Sequence, residues 1–448
     1  MHIGALALFN PTQPVHPGRL VKLIADRARQ VPRLKRRIHI GWWPPGAASW
    51  VDDPDFSGDH HVFGHHLHRA HTADVVPVDR DRLLDRVSTL MAQQLDLARP
   101  PWQIHVITGL GGGRFGVLVK LHHALADGLG AVELGMRLLD GCQGDPAAPP
   151  ASGRPTAKST PRTGHTLDPL GMLGEAIAAA AAAPRIVRQA GQVLGIAGSA
   201  IGGALRPSPP SPLATTSSGE RGVALAKLDL REVKQVRRYH GGTVNDLLLA
   251  VVCGALREWL TARGDRLGEL PVRALIPVSR RHRSTGGAGN RLSGYLCDLP
   301  IAEPDPHRRL AAIRASMDRN KAAGPHRGPG AIAVLAERLP PAVHRVATPI
   351  AGLAAPLLFD TVITSVPLPG LPLTLDGAQL REVYPLAPLA PYHALGVALS
   401  TYRDAVHIGL QADRRAMPDL QGLGEAIPRA LWALAPDVTW PVASSAAR

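Results

Sequence analysis

Two adjacent histidines, His122 and His123, open the segment His122-His123-Ala124-Leu125-Ala126-Asp127-Gly128. An imidazole titrates close to neutral pH and can accept a proton and give it back. Held at the end of a rigid element, it is suited to deprotonating a hydroxyl or amine as that group attacks an activated carbonyl. Such chemistry requires no serine or cysteine nucleophile. Asp127 places a carboxylate four residues after His123, where it can close the turn, and Gly128 is expected to supply backbone angles that other residues resist. On an extended segment neighbouring side chains point to opposite sides, so one imidazole can face reacting groups while the other packs and shapes the turn.

The elements that position these residues are legible on either side. The apolar run Phe115–Leu121 reads as a strand leading into the motif, and Ala131–Leu139 reads as a helix leaving it. Gly109–Gly113 is glycine-rich and joins that strand to another at Ile104–Thr108, which predicts a hairpin. It lacks the Lys-Ser/Thr ending of a phosphate loop. Further strands are expected at Ala5–Phe9, Arg37–Gly41 and His60–Leu67, with helices at Pro17–Val31 and Asp79–Gln94.

Three regions separate along the 448 residues, a length sufficient for two cores. Residues 1–142 carry the motif. Residues 143–222 are rich in proline, glycine, alanine and serine and read as a linker; its centre, Pro169–Leu205, predicts crossover helices, with a membrane-surface helix as the alternative. Arg185 and Arg188 interrupt this stretch, and the uncharged remainder is shorter than the ~20 residues a spanning helix needs. Residues 223–448 repeat the mixed pattern, with strands near Val223–Leu228, Val272–Val278, Thr361–Val366, Gly396–Tyr402 and Ala405–Leu410. Helices are expected there at Leu230–His240, Val244–Arg263, Pro306–Lys321 and Asp419–Leu434. The fold class is therefore α/β with mixed sheets: two similar halves in a pseudo-twofold arrangement, with a cleft between them.

Composition narrows the function classes. Cys142, Cys253 and Cys297 have neither disulfide nor metal spacing, and Met1–Pro11 has no basic leader, so a reducing cytoplasm is expected. The net charge of +14 favours an acidic partner or surface. Aromatic residues make up only 4% and no nucleic-acid module is readable, so nucleic acid is not the expected partner. Anionic lipid or the phosphates of a coenzyme fit better, against the alternative of a merely solvated surface. The stretch from Asp59 through His60, His61, His65, His66 and His68 to His71 has enough imidazoles to chelate metal adventitiously, but without cysteine partners or an HExxH helix no metal site is expected.

HHxxxDG at His122–Gly128 resembles the signature of the bacterial wax ester synthase/diacylglycerol acyltransferase family, within the wider chloramphenicol-acetyltransferase-like acyltransferases and condensation domains. Other segments resemble the same family in order: Met1–Phe9, Trp50–Phe56 with His61-Val62, Leu95-Asp96 with Arg99–Trp102, Thr243–Ala250, Pro277–Ser279 with Gly289–Arg291, and Ala412–Arg414 with Pro418–Leu420. The resemblance covers most of the chain outside the linker. The family's usual LSPLD-like segment does not precede Met1, so either the natural start lies upstream or this member lacks that piece. Ser365 stands where the family usually has asparagine, exchanging an amide for a shorter hydroxyl.

The resemblance implies two chloramphenicol-acetyltransferase-like domains around a tunnel, and an acyl-CoA-dependent O-acyltransferase. The acceptor would be diacylglycerol, a long-chain alcohol, or both. It implies His123 as the general base facing the tunnel, His122 as its packed neighbour, and Asp127 as a loop-holding carboxylate rather than a triad-style orienter. Asn245 and Asp246 would cap a helix and shape the tunnel floor, and Ser365 or a nearby backbone amide would face the oxyanion. Arg280, Arg281 and Arg283 could meet the coenzyme's phosphates, but a solvated charge run is the default reading for any single one of them. Acyl-CoA is a co-substrate and no cofactor is expected. The expected partners are a lipid acceptor and, peripherally, an anionic membrane or lipid-droplet surface; a homodimer is compatible with the reading. The alternatives are a same-fold enzyme acylating another alcohol or an amine, and a non-catalytic lipid-binding paralogue.

Overall fold

The computed structural model describes residues 2–40, 48–67, 75–126, 128–142, 211–265, 267, 272–279, 292–323, 359–390 and 392–435. Two six-stranded mixed sheets dominate. The first contains β1 (His2–Asn10), β4 (Val62–His66), β5 (Trp102–Thr108), β6 (Phe115–His122), β11 (Thr374–Leu375) and β12 (Ala378–Leu386), in the order β11-β12-β1-β6-β5-β4. The second contains β7 (Arg221–Asp229), β8 (Val272–Ser279), β9 (Leu292–Leu299), β10 (Thr361–Ser365), β13 (Leu395–Tyr402) and β14 (Ala405–Asp413), in the order β7-β14-β13-β10-β8-β9. A separate ribbon pairs β2 (Arg36–Ile40) with β3 (Ala48–Asp52).

The sheets do not follow chain order. β12 lies within residues 223–448, yet it pairs antiparallel with β1 and completes the first sheet. Pro385, which argues against a strand in the sequence, is tolerated opposite Ala5. The crossover helices expected at Pro169–Leu205 lie outside the described residues.

Side-chain parity gives the first sheet two distinct faces. Phe9, Trp102, Ile104, Val117 and Leu121 point to one face, packed with Leu20 and Ile24 of α1 (Pro17–Arg29) and Leu134 of α3 (Gly128–Met136), the helix that follows α2 (Val75–Ala92) in the chain. Leu6, Ile107 and Leu118 point to the other, packed with Leu83, Val87 and Met91 of α2. One face of the second sheet is buried under α4 (Leu230–His240), α5 (Val244–Ala262), α6 (Pro306–Ala323) and α7 (Leu420–Trp432). Local signals fix two of these helices: the Asp229 side chain accepts from the Arg231 amide at the start of α4, and Thr243 with Asp246 forms a reciprocal capping box at the start of α5.

The uncovered face of the second sheet meets β12. Gly409 on β14 lies so close to Pro385 that an added Cβ would sit 1.9 Å from the Pro385 carbonyl oxygen. Beside it, His407 is fully buried with its ring edge-on to Tyr384, the centroids 5.1 Å apart. Neither ring nitrogen has a hydrogen-bond partner among the described residues. Burial penalises the imidazolium and lowers the His407 pKa from 6.5 to about 4. The stability contributed by keeping this ring neutral is therefore complete above pH 6.5 and is lost as pH falls towards 4. That interval corresponds to ~3 kcal/mol. Thermal melts at pH 7 and pH 4.5 should show a smaller acid-dependent fall for His407→Leu than for the wild type; equal falls would rule this histidine out as a contributor.

Candidate active site

β6, an interior strand of the first sheet, carries the motif at its C-terminal end. It ends at His122, the chain turns through His123–Ala126, and α3 begins at Gly128. Asp127 lies outside the described residues. The pairing His2↔His122 and Ile3↔Leu121 extends the parity of the sheet to the motif. His122 thus belongs to the α2 face, whereas His123 continues the face that carries Leu121. His123 lines a cavity of about 360 Å³ that His122 does not line.

The two imidazoles are held differently. The Ala124 amide donates to Nδ1 of His122 at 3.3 Å, and burial lowers the His122 pKa, favouring a neutral ring. Nδ1 of His123 faces the Ala126 carbonyl oxygen at 3.3 Å. A carbonyl can only accept, so this contact selects the tautomer with the proton on Nδ1 and leaves the Nε2 lone pair as the base.

Gly128 corrects an expectation. Its φ is not in the left-handed region; instead, a Cβ here would stand 3.1 Å from Cγ2 of Val366, so the glycine permits close approach of the strand end after β10. The residue joins the two halves at the cavity rather than relieving backbone strain.

The cavity lining is apolar apart from His123, Thr364, Ser365 and Ser400, and His123 is its only titratable residue among those described. The lining falls into two groups. Ile3, Ala5, Ala7, Phe9, Val117 and Val119 belong to β1 and β6; Pro277, Val362, Thr364, Ala398 and Ser400 belong to the second sheet. The Ser400 hydroxyl donates to the Val383 carbonyl at 3.0 Å and ties the second group to β12. Ser365 closes β10 at an exposed position on the lining. The next amide, on Val366, already donates to Leu399 O at 2.8 Å, which removes it from the backbone donors near Ser365.

Asn245 and Asp246 do not line the cavity. The Asp246 carboxylate is turned into the capping box, with Oδ2 accepting from the Thr243 amide at 3.0 Å and Oδ1 3.9 Å from Lys321 Nζ. Arg280, Arg281 and Arg283 lie outside the described residues, as do His68 and His71. In the histidine-rich segment, His61 donates to the Trp102 carbonyl at 3.0 Å, His65 shares a 3.0 Å hydrogen bond with His105, and His66 meets the Thr108 hydroxyl at 3.1 Å. Among the described residues no group of three or more His, Cys, Asp or Glu is placed to hold a metal.

Lys120 is a positioning residue that sequence reasoning passed over. It is fully buried two residues before the motif, and Nζ donates to the Leu90 carbonyl at 2.8 Å and to the Gln93 carbonyl. Burial lowers its pKa to about 8. A cation at the carbonyl end of α2 complements the helix dipole and pins that helix to β6. A lone lysine within Phe115–Leu121 was the available signal.

Over residues 1–248 the sequence matches the wax ester synthase/diacylglycerol acyltransferase catalytic domain, and over 288–435 it matches the C-terminal domain of the same family. The chain belongs to the wax ester synthase/diacylglycerol acyltransferase family. It is an acyltransferase. A probable diacylglycerol O-acyltransferase of Mycobacterium tuberculosis is 32% identical over 439 residues, covering 96% of this chain and 90% of the relative. Among solved structures, the wax ester synthase/diacylglycerol acyltransferase of Marinobacter aquaeolei shares the fold, with a TM-score of 0.67 and 24% identity over 97% of this chain and 94% of that one. The first condensation domain of the CDA synthetase matches with a TM-score of 0.54 and 16% identity, covering 97% and 91% of the two chains. The expected pair of chloramphenicol-acetyltransferase-like halves therefore stands. No helix among the described residues of this family member is long and apolar enough to cross a membrane.

Proposed function

We propose that the protein transfers a fatty acyl group from acyl-CoA to the hydroxyl of diacylglycerol, a long-chain alcohol, or both, with His123 as the general base. The observation that carries this reading is an apolar cavity whose single titratable lining residue, among the described residues, is the motif histidine. An apolar lining suits hydrocarbon chains, and the imidazole can both take up and give back the proton that the reaction moves. His123 Nε2 takes the acceptor's hydroxyl proton as the oxygen attacks the thioester carbon. The tetrahedral intermediate then collapses with cleavage of the C–S bond, and the proton passes from Nε2 to the departing thiolate. Transfer is direct, in a ternary complex. The Ser365 hydroxyl is the proposed side-chain donor to the oxyanion. The net charge of +14 supports peripheral attachment to an anionic lipid surface from the cytoplasm.

The test is release of free coenzyme A when the purified protein is mixed with palmitoyl-CoA and either diacylglycerol or hexadecanol, with the lipid product identified. Acceptor-dependent release and a matching ester are expected. Folded protein that releases nothing with either acceptor would sink the reading.

A further inference from the structure

The first group of lining residues has a direction. Ile3 and Phe9 both line the cavity and stand six residues apart on β1, roughly 20 Å for an extended strand. Ile3 pairs with Leu121 beside the motif, whereas Phe9 pairs with Phe115 at the opposite end of β6. This arm therefore runs from His123 along the sheet for a length comparable to a long fatty chain. Its far end is gathered from four elements: Phe9, its β12 partner Leu380, Leu375 of β11 and Ile24 of α1.

Phe9 is the bulkiest group at that end and is 2% exposed. Its ring lies flat on that of Phe115, the centroids 5.1 Å apart and the planes 7° from parallel. Phe115 does not line the cavity, so it stands behind Phe9 as a backing. Rotating the Phe9 ring out of the arm would break a stacked aromatic contact inside a close-packed core. The end of the arm is thus a fixed wall.

We propose that Phe9, backed by Phe115, is the stop that sets how long a hydrocarbon chain this arm accepts. The inference rests on the acyltransferase reading of the same cavity. Each methylene buried before the stop should strengthen binding about fourfold; methylenes beyond it find no space. A single extended chain fits either the thioester donor or a long-chain alcohol acceptor, and the two sources are separable by experiment.

The experiment measures kcat/KM for saturated acyl-CoAs of increasing length with one fixed acceptor, and for primary alcohols of increasing length with one fixed donor. Wild type is compared with Phe9→Trp, Phe9→Leu and Phe9→Ala; the leucine variant guards against failure of the alanine variant to fold. The expected result is a break in the length profile that moves to shorter chains with tryptophan and to longer chains with leucine and alanine. The ratio of kcat/KM for the longest accepted chain to that for a chain four carbons shorter should fall at least tenfold in Phe9→Trp. A shift in the acyl-CoA series seats the donor in this arm, and a shift in the alcohol series seats the acceptor there; either supports the stop. Active variants whose breaks stay in place in both series would overturn it. Calorimetric binding of the same acyl-CoAs and alcohols needs no turnover. If the wild type proves inactive and the binding break still moves, the stop stands and the transfer reading fails; if binding shows no moving break, the stop fails as well.

Discussion

His123→Ala is expected to lower acceptor-dependent release of coenzyme A by about 10³-fold, the middle of the range for removal of a positioned general base. The cavity offers no replacement, because no other described lining residue titrates. Thermal stability should change little, since His123 is only partly buried and its one hydrogen bond among the described residues is the 3.3 Å contact to Ala126 O. His122→Ala provides the internal comparison. Its ring lies on the α2 face of the sheet, so its loss should act through the turn and cost no more than about tenfold. Steady-state rates for the two variants, each with a melting curve, decide the matter. A larger loss for His122→Ala would make His122 the base, and equal losses would rule out His123 as the sole base.

Gly409→Ala should have the largest effect on stability. An added Cβ would stand 1.9 Å from the Pro385 carbonyl oxygen and 3.0 Å from its carbon, both backbone atoms that no side-chain rotation can move. Relief requires β12 to lift from the second sheet while remaining bonded to β1 in the first. A destabilisation of roughly 3 kcal/mol follows, the upper part of the usual range for overpacking. Activity should fall as well, at least tenfold, because Val383, Pro385 and Leu386 of the displaced strand line the cavity, and small misplacements are costly at a reacting centre. Gly422→Ala in α7 is the control, since its Cβ would meet only Trp259 Cδ1, at an ordinary 3.9 Å. Urea unfolding of both variants measures the difference; a Gly409→Ala protein as stable as Gly422→Ala would show that the two sheets are not in rigid contact there.

Elements governed by local chemistry were legible in the sequence. α5 was expected at 244–263 and spans Val244–Ala262, because Thr243 and Asp246 cap it and its apolar residues recur with helical spacing. β13 and β14 announce themselves as apolar segments separated by a two-residue turn. What escaped was set by distant partners. β12 contains Pro385 and charged residues, and only its pairing with β1 and the close approach of Gly409 make it a strand. β9 and β3 were also missed, the first carrying Gly294 and the second only five residues long. At the site, alternation along β6 separated the two histidines, and the family resemblance indicated which of them faces the cavity. The Ala126 carbonyl that sets the tautomer, the buried Lys120 and the packing of Val366 on Gly128 depend on three-dimensional proximity that no spacing rule reports. Asp246 illustrates the converse: its local capping role was readable, and that is where the carboxylate is engaged.

The pairing of β1 with β12 has a consequence for biosynthesis. Asn10 ends the first strand and Ala378 begins its partner, so about 370 residues must be translated between them. At ~5–20 residues per second, a ribosome needs tens of seconds to deliver the second strand. Throughout that interval the outer edge of β1 carries unsatisfied amides and carbonyls, a template for the wrong strand from a neighbouring nascent chain. Newly made protein should therefore depend on chaperone shielding until synthesis is nearly finished, and premature termination should yield aggregates rather than a folded first half.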